Sequence, residues 1–325
     1  VSDAWLAARR LAPPRWLTVL NYHRVDEKRE AADVDEGVLD ATPESLDRQL
    51  ARLKRHFTPI SLADLLAHLE GADLPRNPAF VTFDDGYRDN LVKATPILKR
   101  HGVRATFFIS TGHVGGRRLY WWDRISWTLK HARKRRFTLD YPSSVEVDLD
   151  HGIERSAWIL HRLVKQTRLL DLERFLDHLL SKADAPWTAA VEHELVERLI
   201  MTWDDVRALR VEGMDVGSHT RTHRVLQTLS PSELAPELAG SRADLESELG
   251  APISAIAYPV GASIAGYPEI RAAVEAAGYR LGFNYGPGLQ GLSALDPFDV
   301  RRLAPHHTMD DTRFSTLLAA PWIGA

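Results

Sequence analysis

This sequence predicts an α/β protein: a parallel sheet rolled toward a barrel, with one mainly helical insertion. Three observations predict it. Short apolar runs alternate with amphipathic stretches of about ten residues, the pattern of parallel strands joined by crossover helices. Six or seven such units follow one another, a number that favours a barrel over an open sheet. Between about residues 115 and 200 the alternation stops, and charge, tryptophan and helical periodicity take over.

The elements follow in order. Leu17–Asn21 (LTVLN) reads as a first buried strand, and the polar stretch Asp26–Asp40 as a loop. Thr42-Pro43-Glu44 supplies a helix N-cap with proline in the first turn, and Leu46, Leu50, Leu53 and Phe57 follow at helical spacing. Ser61 caps a second helix carrying Leu62, Leu65, Leu66 and Leu69. Ala79–Phe83 (AFVTF) predicts a strand, Asn90–His101 a helix closed by Gly102, and Ala105–Ser110 the next strand. Inside the insertion only Ser144–Leu149 has strand character, and the basic run His131–Arg136 reads as a solvated helix face. Thr202 caps a helix over Asp204–Val211, and Met214–Ser218 resumes the strands. A long helix runs from Ser230-Pro231-Ser232-Glu233 to Leu249-Gly250. Ile253–Tyr258 is a strand, Pro268–Ala277 a helix and Tyr279–Phe283 a strand.

Composition narrows the function classes. With 44% hydrophobic and 26% charged residues over 325 positions, the chain is expected to bury its own core. It has no cysteine, which excludes disulfides, thiolate metal sites and a cysteine nucleophile. Lys and Arg total 41 against 44 Asp and Glu, so no general basic field exists to hold nucleic acid. No apolar run approaches the roughly 18–20 residues of a membrane span. The stretch Val1–Trp16 lacks a basic-then-apolar leader pattern. Cytoplasmic is therefore the default expectation, with an extracytoplasmic location left open if the N-terminus was trimmed.

Chemistry is expected where strands end, at the C-terminal rim of a parallel sheet. Two clusters stand there. Thr82-Phe83-Asp84-Asp85-Gly86-Tyr87 places two carboxylates directly after a strand, and His219-Thr220-Arg221-Thr222-His223 places two imidazoles four residues apart after another. Imidazoles so spaced can face one way on a helical turn or tight loop. With one carboxylate they would make a His₂Asp set for a divalent metal, leaving positions open for water and substrate. The other carboxylate can then act as general base.

Phe83-Asp84-Asp85-Gly86 together with His219-Thr220 and His223 resembles the first two motifs of the polysaccharide deacetylases, the carbohydrate esterase family 4 or NodB-homology enzymes. The resemblance extends from roughly Val19 to Leu303 and implies a deformed (β/α)7-type barrel that removes N-acetyl groups from the amino sugars of a glycan. It implies Asp84 as general base and Asp85, His219 and His223 as ligands of a divalent metal, with zinc the expected ion. Ala257-Tyr258-Pro259-Val260-Gly261 is similar to the family's Pro-Tyr-Gly segment. Val260 stands where tyrosine is usual, but its backbone N–H can still serve as oxyanion donor. The arginine that often precedes this segment and orients the base is absent, and Arg302 is the candidate substitute.

The general acid has two candidates. Leu303-Ala304-Pro305-His306 only approximates the family's Leu-x-His motif, whereas Asn21-Tyr22-His23-Arg24-Val25 is similar to the exopolysaccharide (poly-N-acetylglucosamine) subgroup, where a histidine after the first strand serves. His23 is the preferred acid. Tyr87, Trp121, Trp122 and Tyr258 are the expected sugar-binding side chains. Trp158, Trp187 and Trp203 are further aromatics of the insertion or its border, equally suited to filling a small core. The rival readings are a barrel hydrolase of another C–N or ester bond, such as a cyclic imide or an acetyl ester, and a glycan-binding barrel without turnover.

Overall fold

Residues 6–7, 15–286 and 288–320 are described by the computed structural model. Most of the Val1–Trp16 stretch that bears on a leader lies outside them. Six parallel strands follow one another around a curled sheet in sequence order: β1 (Trp16–Tyr22), β2 (Pro78–Phe83), β3 (Thr106–Ile109), β4 (Asp215–Ser218), β5 (Ala255–Ala257) and β6 (Leu281–Phe283). Residues 300–303 lie between the two ends. Val300 bridges Phe283 and Leu303 bridges Leu20, both in parallel sense. Asn21 N–H donates to the Leu303 carbonyl at 2.9 Å, and Leu303 N–H donates to Val19 at 2.7 Å. This segment is the seventh stave of the barrel. It carries no apolar run, because a buried arginine occupies its middle.

The helices are α1 (Pro43–His56), α2 (Leu62–Leu69), α3 (Thr95–His101), α4 (Thr111–Gly116), α5 (Trp121–Lys130), α6 (Ile153–Gln166), α7 (Leu172–Ala183), α8 (Ala189–Leu199), α9 (Trp203–Val211), α10 (Pro231–Leu249), α11 (Pro268–Ala276) and α12 (Asp311–Ala319). Capping boxes start α1 at Thr42, α2 at Ser61, α9 at Thr202 and α10 at Ser230. Both faces of the strands are covered, as a parallel sheet requires. Leu17, Val19, Phe80, Phe108, Leu281, Phe283 and Val300 fill the barrel with help from Leu62 and Leu65 of α2. Leu20, Tyr22, Val81, Phe83, Phe107 and Ile109 face the outer helices.

Three stretches differ from expectation. Residues 90–101 are not one α-helix: a π-helical turn, Asn90–Ala94, precedes α3. Pro96 has no N–H for the normal ladder, and the turn widens ahead of it. The basic run 131–136 is a turn leading into a strand, Arg136–Leu139, which pairs with Val145–Asp148. Arg135 and Arg136 there meet Asp148 and Asp150 at 3.2–3.3 Å rather than solvent alone. Helix α12 was not legible in the alternating pattern. Between β3 and β4 lie α4 to α9 and that hairpin, so the chain there is mainly helical. No helix among the described residues is long and apolar enough to cross a membrane.

Candidate active site

Two rim loops bend sharply to present their side chains. After β2, Asp85 takes φ 76° and Gly86 φ 88°. The turn is fixed by Asp84 N–H on the Tyr22 carbonyl (2.8 Å) and by the Tyr120 hydroxyl on the Asp85 carbonyl. After β4, Thr220 (φ 63°) and His223 (φ 55°) are also left-handed. Buried Glu237 of α10 holds that loop by accepting the N–H groups of Arg221 (3.0 Å) and Thr222 (2.8 Å).

These bends bring Asp85, His219 and His223 together, all buried, with one donor atom of each within 4.8 Å of the others. Asp85 Oδ1 lies 3.4 Å from His219 Nε2 and 3.3 Å from His223 Nε2. That is the spacing kept by donors sharing one cation, each roughly 2.0–2.2 Å from it. Neither Asp85 oxygen accepts a hydrogen bond, a costly state for a buried carboxylate unless a cation completes it. Burial alone would raise the Asp85 pKa, but the two histidines hold it well below the usual carboxylate range. His219 Nδ1 lies 2.8 Å from the Ala257 carbonyl, so it carries the proton and leaves Nε2 free as a ligand. The residues fit a divalent metal.

Asp84 is bound differently. Arg302 grips it with both arms, Nη1 to Oδ1 at 2.7 Å and Nη2 to Oδ2 at 2.8 Å, and Asn21 Nδ2 donates to Oδ2 at 3.2 Å. Arg302 is itself 1% exposed and anchored on the Asn284 carbonyl at 2.8 Å. Burial pushes the Asp84 pKa up, but Arg302, His219 and His23 together outweigh it and the carboxylate is held below its ordinary range. Asp84 is therefore ionised at neutral pH. The seventh stave supplies the arginine that the segment before Val260 lacks.

His23 sits across Asp84, with Nε2 4.0 Å from Oδ2. Its Nδ1 lies 2.9 Å from Asp40 Oδ2, the oxygen that also accepts the His23 backbone N–H. Burial lowers the His23 pKa, but Asp40, with Asp85 and Asp84 behind it, raises it to about 9. The imidazole is thus a charged donor at neutral pH. His306 does not line the cavity. Its Nδ1 meets Thr308 Oγ1 at 2.8 Å, its ring packs on His307, and burial lowers its pKa.

A cavity of about 270 Å³ joins these groups, lined also by Trp121, Trp122, Tyr258, Val260 and Tyr285. Val260 is left-handed at φ 60°, unusual for a β-branched residue. Trp121 and Trp122 are almost wholly buried, and Trp122 packs edgewise on His223 at 4.6 Å. They form a wall rather than an open stacking platform. Tyr258 commits its hydroxyl to the Phe298 carbonyl at 2.7 Å. Tyr87 is a correction: it is fully buried and does not line the cavity. The turn at Asp85-Gly86 carries it beneath the site, where its hydroxyl donates to Asp123 Oδ2 at 2.7 Å and accepts the Trp122 indole N–H at 2.7 Å. Trp187 packs on Trp127 at 4.9 Å, inside the insertion.

Sequence reasoning missed Asp40, Asn21 and Tyr285. It also missed Asp35, His161 and Lys165, which line the same cavity from the 26–40 loop and α6. Only Asn21, within the quoted Asn-Tyr-His-Arg-Val context, had any local signal.

Comparison with known proteins converges on one family. A family model described as polysaccharide deacetylase matches residues 71–136 and 172–282, more than half of the chain. A poly-beta-1,6-N-acetyl-D-glucosamine N-deacetylase of Staphylococcus aureus (strain MSSA476) is 29% identical over 119 residues, 33% of this chain and 40% of that protein. The chain thus spans well under two thirds of that relative's length. The fold resembles the Streptococcus pyogenes deacetylase PplD, solved with acetate, at TM-score 0.59 and 18% identity over 95% of this chain and 99% of that one. It also resembles IcaB from Ammonifex degensii, at TM-score 0.57 and 19% identity over 96% and 98%.

Proposed function

This chain belongs to the polysaccharide deacetylase family, and from that premise we propose that it hydrolyses N-acetyl groups on the amino sugars of a glycan, releasing acetate. One observation carries the reading. An ionised carboxylate clamped by Arg302 and a protonated imidazole clamped by Asp40 face each other beside the Asp85, His219 and His223 cluster, in one cavity. Amide hydrolysis needs that pair: a base for the attacking water and an acid for the departing nitrogen.

Asp85, His219 and His223 would hold the divalent ion, with zinc proposed from their nitrogen and oxygen donors. When bound, it supplies a Lewis acid that lowers the cost of negative charge on oxygen. The remaining work belongs to the chain. Asp84 accepts the proton of the water that attacks the acetamide carbon. Arg302 keeps Asp84 ionised and fixes its direction. The Val260 N–H is the proposed donor to the carbonyl oxygen as it gains charge. The C–N bond then breaks, and His23 Nε2 delivers its proton to the sugar nitrogen. Poly-β-1,6-linked N-acetylglucosamine, the polymer named for the staphylococcal relative, is the first substrate to test. The test is acetate release from N-acetylglucosamine oligomers by metal-loaded protein, with and without chelator. Release that chelation stops and zinc restores is expected. Absence of release, or release indifferent to chelation, would overturn the proposal.

A further inference from the structure

We propose that α6 carries a track for the glycan chain beyond the reacting sugar, with Trp158 as its outer platform. The inference deepens the deacetylase reading and rests on it. The cavity, at about 270 Å³, is smaller than the roughly 300–1,000 Å³ of pockets that enclose a drug-sized ligand. It admits a reacting sugar unit, so the rest of a polymer must lie along its rim.

On the insertion side that rim is α6. His161 and Lys165 line the cavity and stand three and seven residues after Trp158. At 3.6 residues per turn the three share one face, and at 1.5 Å per residue the stripe is about 10 Å long. The opposite face carries Ser156, Leu160 and Val164, all buried. Trp158 is therefore on the outward stripe and is 60% exposed, with the Arg162 guanidinium over its ring at 5.5 Å.

The polar groups along this stripe are arranged to receive hydroxyls. His161 Nδ1 lies 3.7 Å from Asp35 Oδ2, and its Nε2 is buried without a hydrogen-bond partner. Lys165 makes no ion pair among the described residues. An exposed indole one helical turn before His161, on the stripe that reaches the reaction cavity, suits the apolar face and hydroxyl edge of successive sugars. Helix α6 falls in residues 137–171, which the family model does not match.

The test compares kcat/KM on a hexamer and a dimer of N-acetylglucosamine. In Trp158→Ala the hexamer-to-dimer ratio falls about fivefold, mainly through KM, and Trp158→Tyr restores most of it. Val211→Ala, at an exposed position of α9, serves as the surface control and leaves the ratio unchanged. A wild-type ratio in Trp158→Ala overturns the track. If wild-type protein releases no acetate, the deacetylase reading fails separately. Titrating the same oligomers against wild type and Trp158→Ala then decides the track, and equal hexamer affinities overturn it.

Discussion

On the barrel side of the cavity, Asp84, Arg302 and Asn21 are buried and joined by direct hydrogen bonds, and buried Asp40 holds His23 by two more. On the insertion side, Lys165 makes no ion pair among the described residues and Trp158 of the same helix stands in solvent. Left-handed backbone occurs on both sides, at Arg117, Leu169 and Asp184 in the insertion as well as on the barrel rim. Eight described non-glycine residues have positive φ, and four of them (Asp85, Thr220, His223 and Val260) belong to the barrel rim loops. Holding residues in sparsely populated conformations costs about 1–3 kcal/mol each, and only a surrounding that over-determines them keeps them there. The contrast teaches where precision is needed. Proton transfer fails when groups shift by about an ångström, whereas a glycan chain tolerates a looser surface.

The comparison breaks most visibly at Asp84. Asp84→Asn removes the proton acceptor but keeps shape, and turnover should fall by about two to four orders of magnitude. Zinc content, measured by elemental analysis, should stay near wild type, because Asp84 is not among the three clustered donors. Equal loss of metal and activity would show instead that Asp84 is a ligand. Arg302→Lys should cost less, about ten- to a hundredfold in kcat, since an ammonium keeps the charge but cannot fork onto both carboxylate oxygens. With the guanidinium gone, burial raises the Asp84 pKa, so the acid limb of the pH–rate profile should move up. An unmoved limb would detach Arg302 from the base.

Asp40→Asn sharpens the acid assignment. His23 is competent as an acid only while protonated, so activity should fall as pH rises through about 9. The groups facing its ring are Asp40, Asp84, Asp85 and Tyr285. Removing the Asp40 charge leaves burial, which lowers the pKa, less strongly opposed. The alkaline limb should move down, toward the ordinary value of 6.5. A limb that stays in place, or one that responds to His306→Ala, would transfer the role elsewhere.

How far the sequence foretold these two sides follows from where each residue gets its place. Asp84, Asp85, His219 and His223 were legible because each directly follows an apolar strand, and strand ends of a parallel sheet converge by topology. Arg302 was harder, since its stave has no apolar run and is recognisable only by its pairing with β1 and β6. Asp40 was not legible: it lies 17 residues from His23 in a polar stretch, and only the folded chain brings them together. Tyr87 misled because nearness to Asp85 in sequence says nothing once two left-handed residues reverse the chain between them. On the insertion side, Trp121 and Trp122 were legible as aromatics but not as a buried wall.

The smallest effect expected is at Val260, and it tests whether the strained rim works through backbone or side chain. Its φ of 60° and ψ of −6° put a β-branched residue in the left-handed region, at a cost of roughly 1–2 kcal/mol. Val260→Gly relieves that strain but lets the unfolded chain gain entropy worth about 0.4–1 kcal/mol. The net change in stability should be a gain of no more than about 1.5 kcal/mol, read from thermal or urea unfolding. Glycine retains the N–H proposed as oxyanion donor, so kcat should stay within about twofold. The Gly261 N–H that closes the turn on the Tyr258 carbonyl at 2.8 Å keeps the backbone near its present path. A tenfold loss with an intact fold would mean that the isopropyl group, 36% exposed at the cavity, shapes the pocket. The barrel side would then discriminate between substrates as well as hold the reaction, and the division of labour between the two walls would be lost.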